Sequence, residues 1–281
     1  MTIIGKGPFP AVIDIFGGAN GLVAYRGGLM ARHGFACLCI AYAAYADLPK
    51  DMTDVDMDYF NLAYEFLAKH PQVYKDGIGI MGSCLGGTIG LTLAACQPGI
   101  KAVATVSPES FAGTFRYHLR DYSKGKKSEK RYVMGMQWIK DSKYVEEIDG
   151  AIKIQGLYKP TLERHGDWNT LKLDYSKIDI PVLAFFGTND IFFDLPITLP
   201  KFKEQFEGKN NLQITMYKDA GHIIQPPYLP VFAKYYSPYF QMQIWFGGVK
   251  VPHAAAQEDM WQRSIDFFKV HLSPPNSISK L

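Results

Sequence analysis

The sequence predicts an α/β fold: a doubly wound, mostly parallel sheet with helices on both faces. Three observations predict it. Short apolar runs typical of buried strands alternate with segments of helical period along most of the chain. One strand pattern runs through a tight glycine turn straight into a helix, between residues 78 and 95. Hydrophobic residues make up 47% of the 281, ample for a sizeable core.

Phe9 to Phe16 (FPAVIDIF) reads as the first strand and ends in Gly17-Gly18. A helix is predicted from about Leu22 to His33, and Phe35 to Tyr42 is the next strand. Asp56 to Lys69 carries Met57, Phe60, Leu62, Ala63, Phe66 and Leu67 at the spacing of a helix face, and His70-Pro71 ends it. Ile78-Gly79-Ile80-Met81 is a buried strand, and Thr88 to Ala95 is the helix after it. Ile100 to Val106, Val182 to Phe186 and Leu212 to Tyr217 follow as strands, and an amphipathic helix runs from about Gln257 to Val270. The segment 108–180 breaks this rhythm and predicts a cap-like insertion over the site. Within it, Lys124-Gly125-Lys126-Lys127-Ser128-Glu129-Lys130-Arg131 reads as a solvated loop, with phosphate binding by its basic residues as the alternative. No repeat or low-complexity block is present, so 1–272 reads as one catalytic domain and 273–281 as a flexible tail.

Between the fourth predicted strand and its helix lies Gly82-Ser83-Cys84-Leu85-Gly86-Gly87, with the spacing of a nucleophile elbow and cysteine where serine is commoner. This predicts the α/β-hydrolase arrangement. Gly82 and Gly86 remove Cβ atoms where the turn forces neighbours together. The helix start directs free N–H groups and positive partial charge at the thiol, which favours the thiolate. An elbow thiolate attacks an activated carbonyl and forms an acyl-enzyme. Two alternatives stand beside this reading: a glycine-rich turn around a structural cysteine, and Ser83 as nucleophile, one position out of register with the glycines.

The chain order in this fold is nucleophile, acid, histidine. The strand Val182 to Phe186 runs into Gly187-Thr188-Asn189-Asp190, which makes Asp190 the candidate acid and Asp194 the runner-up. The next strand runs into Lys218-Asp219-Ala220-Gly221-His222, which makes His222 the candidate base; Asp219 reads as a turn residue. His33, His70, His118 and His165 precede Asp190 and are out of order, and His253, in a Val251-Pro252-His253 loop, is the rival. The oxyanion hole needs two backbone donors. One is expected from Leu85, and the other from Gly18 or Ala19 in the loop Phe16-Gly17-Gly18-Ala19-Asn20-Gly21. That loop matches neither the dinucleotide nor the P-loop glycine pattern, which argues against a nucleotide site.

A net charge of +3 is far from that of a nucleic-acid binder and is compatible with an anionic substrate. Cys37, Cys39, Cys84 and Cys96 show no zinc-ligand spacing with histidines and no disulfide framework, so no metal and a reducing compartment are expected. The start of the chain lacks signal-peptide architecture, and no apolar run reaches the ~20 residues of a membrane span. A soluble intracellular protein is expected. The final Ser279-Lys280-Leu281 is the peroxisomal address read by a soluble import receptor, which predicts a peroxisomal location.

Several runs carry a family resemblance: Gly7-Pro8-Phe9-Pro10-Ala11-Val12-Ile13-Asp14-Ile15-Phe16-Gly17-Gly18, Ala41-Tyr42 with Asp47-Leu48-Pro49-Lys50, and His70-Pro71-Gln72-Val73. Gly221-His222-Ile223-Ile224-Gln225-Pro226-Pro227-Tyr228, Trp245-Phe246-Gly247-Gly248 and His253-Ala254-Ala255-Ala256-Gln257-Glu258-Asp259-Met260-Trp261 add to it. Together with the elbow, the chain resembles the C-terminal catalytic domain of the family joining type I acyl-CoA thioesterases with bile acid-CoA:amino acid N-acyltransferase. The resemblance implies the triad Cys84, Asp190 and His222, with acyl-CoA as substrate and CoA entering as part of it, without another cofactor. It implies hydrolysis to free acid and CoA, with transfer of the acyl group to glycine or taurine as the alternative. A third reading is an inactive remnant or binding partner. Thioesterases of the family generally carry serine at the elbow, whereas the N-acyltransferase carries cysteine, as here. The elbow is also similar to that of dienelactone hydrolases, which hydrolyse with cysteine. Family members place an N-terminal β-sandwich domain before the catalytic domain. Because this chain begins almost at the first catalytic strand, that domain is expected to be absent.

Overall fold

A computed structural model describes residues 1–18, 21–49, 54–109, 116–121, 126–131, 143–157, 172–227, 229–237 and 241–274. In chain order the elements begin β1 (Phe9–Ile15), α1 (Tyr25–Arg32), β2 (Ala36–Ile40), β3 (Asp54–Asp56), α2 (Met57–Lys69), β4 (Val73–Ser83), α3 (Leu85–Cys96) and β5 (Ala102–Val106). The middle of the chain gives β6 (Arg116–Asp121), β7 (Lys126–Arg131), β8 (Glu146–Ile148) and β9 (Ala151–Lys153). Then come β10 (Val182–Gly187), α4 (Leu195–Glu204), β11 (Leu212–Tyr217), β12 (Lys234–Ser237), β13 (Met242–Trp245) and α5 (Lys250–Leu272).

The central sheet has the order β11-β10-β5-β4-β1-β2, and each neighbouring pair in it is parallel. Its inner strands β1, β4, β5 and β10 are mostly buried on both faces, so their side chains divide by alternation. Ile13, Ile80, Val103 and Ala184 face one layer with Phe60 and Leu67 of α2, Leu85 and Ile89 of α3, and Phe202 of α4. Val12, Met81, Ala104 and Phe185 face the other, with Met30 of α1 and Met260, Trp261, Ile265 and Phe268 of α5. Chain order reverses between β1 and β4: β2 lies outside β1, whereas β5, β10 and β11 continue beyond β4. In open α/β sheets the crevice beyond the strand ends at such a switch point is where ligands bind. Here those ends carry Phe16-Gly17 and Cys84.

Three features depart from the sequence reading. The last helix begins at Lys250, not near Gln257, so His253 lies on a helix and not in a loop. Pro252 misled the pattern; in a helix's first turn its missing N–H costs nothing, because those donors have no helical acceptor. The charged run also departs from the predicted loop, since Lys126–Arg131 forms β7, antiparallel to β6. Ladder hydrogen bonds are made by the backbone and do not require apolar side chains. Helix α4, with Pro196 and Pro200, had no counterpart among the predicted elements. Within the predicted insertion, β6 and β7 join β3 in a three-stranded sheet, and β8 and β9 join β12 and β13 in a four-stranded one. Lys124 lies outside the described residues, as do Ala19, most of the tail, and with it Ser279, Lys280 and Leu281.

Candidate active site

The turn from β4 into α3 is tight because glycines let three backbone segments meet. A Cβ on Gly82 would stand 2.5 Å from the Gly86 carbonyl oxygen, and one on Gly86 would stand 2.1 Å from that of Ile15. Cys84, between them, adopts φ 54° and ψ −126°. A non-glycine residue held in so sparse a region costs about 1–3 kcal/mol. The Cys84 N–H donates to the Val106 carbonyl at 2.8 Å, and the Cys84 carbonyl accepts from Gly87 and Thr88 at 2.9 and 3.1 Å. Those bonds fix the peptide groups on both sides and project the side chain beyond the sheet.

Ser83 is the other candidate nucleophile, and its surroundings argue against the role. It is fully buried, and its Oγ accepts from Nη1 of Arg26 at 2.5 Å. Arg26 is 1% exposed and pairs with Asp14, itself 2% exposed, through the one guanidinium edge formed by Nε and Nη2. Burial penalises the Arg26 charge, but the charge of Asp14 outweighs it and the guanidinium stays protonated. The guanidinium also lies over the Phe16 ring, 5.1 Å from its centroid. One buried cation therefore joins β1, α1, the residue before the nucleophile and the loop after β1. None of this was found from sequence; the available signal was Asp14, a carboxylate inside an otherwise apolar strand.

The candidate acid and base, Asp190 and His222, lie in the loops that follow β10 and β11. His222 is completely buried and Asp190 is 3% exposed. The His222 Nδ1–H donates to Asp190 Oδ2 at 2.8 Å. The other oxygen, Oδ1, accepts the N–H groups of Phe192 and Phe193, each at 2.9 Å. Burial opposes a charged imidazole at His222, but the Asp190 carboxylate and the Cys84 sulfur outweigh it and push its pKa up to about 10. Nε2 is buried and makes no hydrogen bond within ordinary geometry, leaving it to interact with the Cys84 sulfur. Phe193, Phe192 and Phe246 surround the imidazole, with ring centroids 4.4, 4.5 and 5.4 Å away, an apolar wall that strengthens the electrostatics inside it. Asp194, the runner-up acid, instead precedes α4, and its carbonyl accepts from Ile197 and Thr198. Asp219 shapes a turn at φ 59°.

Of the candidate oxyanion donors, Leu85 and Gly18 lie among the described residues. Leu85 opens α3, where the first N–H groups have no helical acceptor and point toward the elbow. A Cβ on Gly17 would lie 2.9 Å from the Cys84 Cβ, so the loop leading to Gly18 runs directly against the nucleophile. The Tyr42 hydroxyl, unnoticed in the sequence, spans the Phe16 and Gly17 carbonyls at 3.1 and 2.7 Å and holds that loop. Asp14, Cys37 and Cys39 form the one group of potential metal ligands found among the described residues, within 4.8 Å of one another. Arg26 already occupies the carboxylate, and its positive charge opposes a cation there. Among the described residues no helix is long and apolar enough to cross a membrane.

The site can therefore perform nucleophilic acyl transfer: a thiol on a strained turn, a base oriented by a carboxylate, and backbone donors beside the sulfur. Residues 55–274 match the family model described as BAAT / acyl-CoA thioester hydrolase C terminal. The chain is 33% identical over 286 residues to mouse bile acid-CoA:amino acid N-acyltransferase, covering 96% of this chain and 62% of the relative. It is 31% identical over 275 residues to human acyl-coenzyme A thioesterase 6 (97% and 62%), and 30% identical over 276 residues to mouse peroxisomal succinyl-coenzyme A thioesterase (97% and 62%). The chain thus spans about three fifths of the length of these relatives. Among solved structures, an α/β hydrolase from Penicillium sp. sh18 matches with TM-score 0.57 at 17% identity, covering 94% of this chain and 90% of that one. A dienelactone hydrolase-like protein from Klebsiella pneumoniae matches with TM-score 0.55 at 15% identity, covering 94% and 88%. These two structures speak to the fold alone.

Proposed function

Because the chain belongs to the BAAT / acyl-CoA thioester hydrolase C-terminal family, we propose that it hydrolyses acyl-CoA thioesters to free acid and CoA through an acyl-enzyme on Cys84. The observation that carries this is the union of a strained elbow thiol with a buried His222–Asp190 pair.

In this reading the Cys84 sulfur attacks the thioester carbonyl, and its proton resides on Nε2 of His222. The developing oxyanion is held by the N–H of Leu85 and by a donor at Gly18 or Ala19. His222 then gives its proton to the departing CoA sulfur, leaving the acyl group on Cys84. A water molecule loses its proton to His222 and attacks the acyl-enzyme; collapse returns the thiol and releases the acid. Asp190 keeps Nδ1 protonated throughout, so that Nε2 is the atom that exchanges protons. The aromatic wall of Phe192, Phe193 and Phe246 is suited to an apolar acyl chain.

A second reading replaces water with the amine of glycine or taurine. Two observations favour it: the nucleophile is cysteine, whose thioester intermediate yields to amines more readily than an ester does, and some relatives are named as N-acyltransferases. Mass spectrometry of the products from an acyl-CoA panel, with and without glycine and taurine, separates the two. Free acid under both conditions supports hydrolysis, and amide formed when amine is present supports transfer. No product from a folded chain would overturn both and leave the remnant or binding role.

We further propose peroxisomal import through Ser279-Lys280-Leu281, in line with one relative named as peroxisomal. A fluorescent fusion ending in these residues is expected in peroxisomes, and one lacking them in the cytosol.

A further inference from the structure

His253 is used by none of these steps, yet it is a completely buried histidine whose ring atoms both reach the chain on either side of His222. The N–H of Gly221 donates to its Nδ1 at 3.0 Å. Its Nε2–H donates to the Ile223 carbonyl, also at 3.0 Å. A neutral imidazole has one acceptor and one donor, and here both are spent on the residues immediately before and after the base. The two main-chain partners also fix the tautomer, with the proton on Nε2. Burial lowers the pKa of His253 and outweighs the bond to the Ile223 carbonyl, so the ring is held neutral.

The peptide groups of His222 itself are also engaged. The His222 N–H donates to the Phe246 carbonyl at 2.8 Å, and the Ser107 hydroxyl donates to the His222 carbonyl at 3.1 Å. Of these four anchors on residues 221–223, one side chain supplies two. The fit is close: a Cβ on Gly248 would stand 2.5 Å from Nδ1 of His253. His253 sits in the first turn of α5, whose buried face, with Ala256, Met260, Ile265 and Phe268, packs on the sheet and anchors the ring.

We propose that His253 is a positioning residue for the active site: its neutral imidazole clamps the peptide groups flanking His222 and thereby holds Nε2 against the Cys84 sulfur. The proposal rests on the reading of Cys84 and His222 as a working pair. A loosened clamp lets the imidazole swing by fractions of an ångström, to which proton transfer is sensitive.

The test reads the Cys84–His222 pair without requiring turnover. Iodoacetamide alkylation of Cys84 is followed by peptide mass spectrometry from pH 5 to 9, in the wild type, His222→Ala, His253→Leu and His253→Asn. Peptide resolution separates Cys84 from the other three cysteines. In His222→Ala the alkylation rate near neutral pH is expected to fall by about tenfold, because the thiolate loses its cationic neighbour. His253→Leu, which fills the space and removes both bonds, is expected to move toward that profile. His253→Asn, which keeps an acceptor for the Gly221 N–H, is expected to lie between His253→Leu and the wild type. With acyl-CoA, kcat of His253→Leu is expected to fall about 10- to 100-fold with KM little changed.

A His253→Leu protein with the wild-type melting temperature and wild-type Cys84 alkylation profile overturns the clamp. Should His253→Leu not fold, wild-type profiles in both His253→Asn and His253→Gln overturn it equally. A wild-type profile in His222→Ala instead sinks the pairing of Cys84 with His222, and the clamp with it. The His222→Ala arm thus tells failure of the site reading from failure of the clamp.

Discussion

Asp190 divides its carboxylate between His222 and its own turn. Oδ2 accepts the Nδ1–H of His222 at 2.8 Å, and Oδ1 accepts the N–H groups of Phe192 and Phe193. The second pair of bonds fixes the direction of the first, so the imidazole meets an acceptor whose orientation is set by backbone.

Replacing this acid with its amide tests the arrangement. In Asp190→Asn the oxygen stays with Phe192 and Phe193, because only an acceptor fits there, and the NH2 turns toward Nδ1. The histidine is then driven to the Nε2–H tautomer and cannot take a proton from Cys84 or water. A fall in kcat of about 10²- to 10⁴-fold is expected, with the fold retained. Stopped-flow measurement of CoA release checks it; kcat within a few-fold of wild type would remove Asp190 from the mechanism.

Cys84→Ala is expected to abolish the acyl-enzyme, seen as loss of the acyl mass increment on the intact protein after mixing with acyl-CoA. Cys84→Ser keeps the elbow geometry and changes the intermediate from thioester to ester. If the wild type makes amide, the ratio of amide to acid is expected to fall in the serine variant.

The Arg26–Asp14 pair predicts an asymmetric double-mutant cycle. Arg26→Met strands a buried carboxylate and is expected to destabilise the protein by about 3–5 kcal/mol in urea unfolding. Arg26→Met with Asp14→Leu removes both charges, and much of that loss is expected to return. Additive losses would show that the two side chains act independently.

His222 links stability to pH. Its pKa is raised in the folded protein from an ordinary value of 6.5 to about 10, so the folded state binds the proton more tightly than the unfolded state does. The resulting stabilisation is complete below the unfolded pKa and is lost as pH rises through the folded one. Urea midpoints of the wild type are expected to fall between pH 7 and 10, and those of His222→Gln to fall less over the same range. Parallel curves for the two proteins would contradict the raised pKa.

What the sequence revealed of the site followed from chain order and glycine spacing. Cys84 was marked by Gly82 and Gly86, and Asp190 and His222 by their places just beyond two strands. Those signals are local, since a residue after a parallel strand reaches the same end of the sheet wherever the strand lies. The supporting side chains could not be read in this way. Arg26 reaches Asp14 and Ser83 from a separate helix, and Tyr42 reaches Phe16 and Gly17 from just beyond β2. Each has a partner set by packing and not by spacing. His253 was masked twice, by Pro252, which hid the helix start, and by its distance in sequence from Gly221 and Ile223. The main sheet was legible because buried parallel strands are continuous apolar runs. The smaller sheets were not, since β8 and β9 are three residues each and β9 finds its second partner in β13, far along the chain.

Helix α5 carries a consequence for shortened forms of this chain. Its 23 residues span about 35 Å. His253 stands at one end beside the His222 loop, and Leu272, at the other, lies against Gly77 and Gly79 in the middle of β4. A transcript or protease that removes the second half of this helix leaves Cys84, Asp190, His222 and His253 in the sequence. It also removes Ile265, Phe268 and Leu272, which seat the helix on the sheet. Such a product would keep every sequence motif of the candidate site and lose the packing that holds His253 against Gly221 and Ile223.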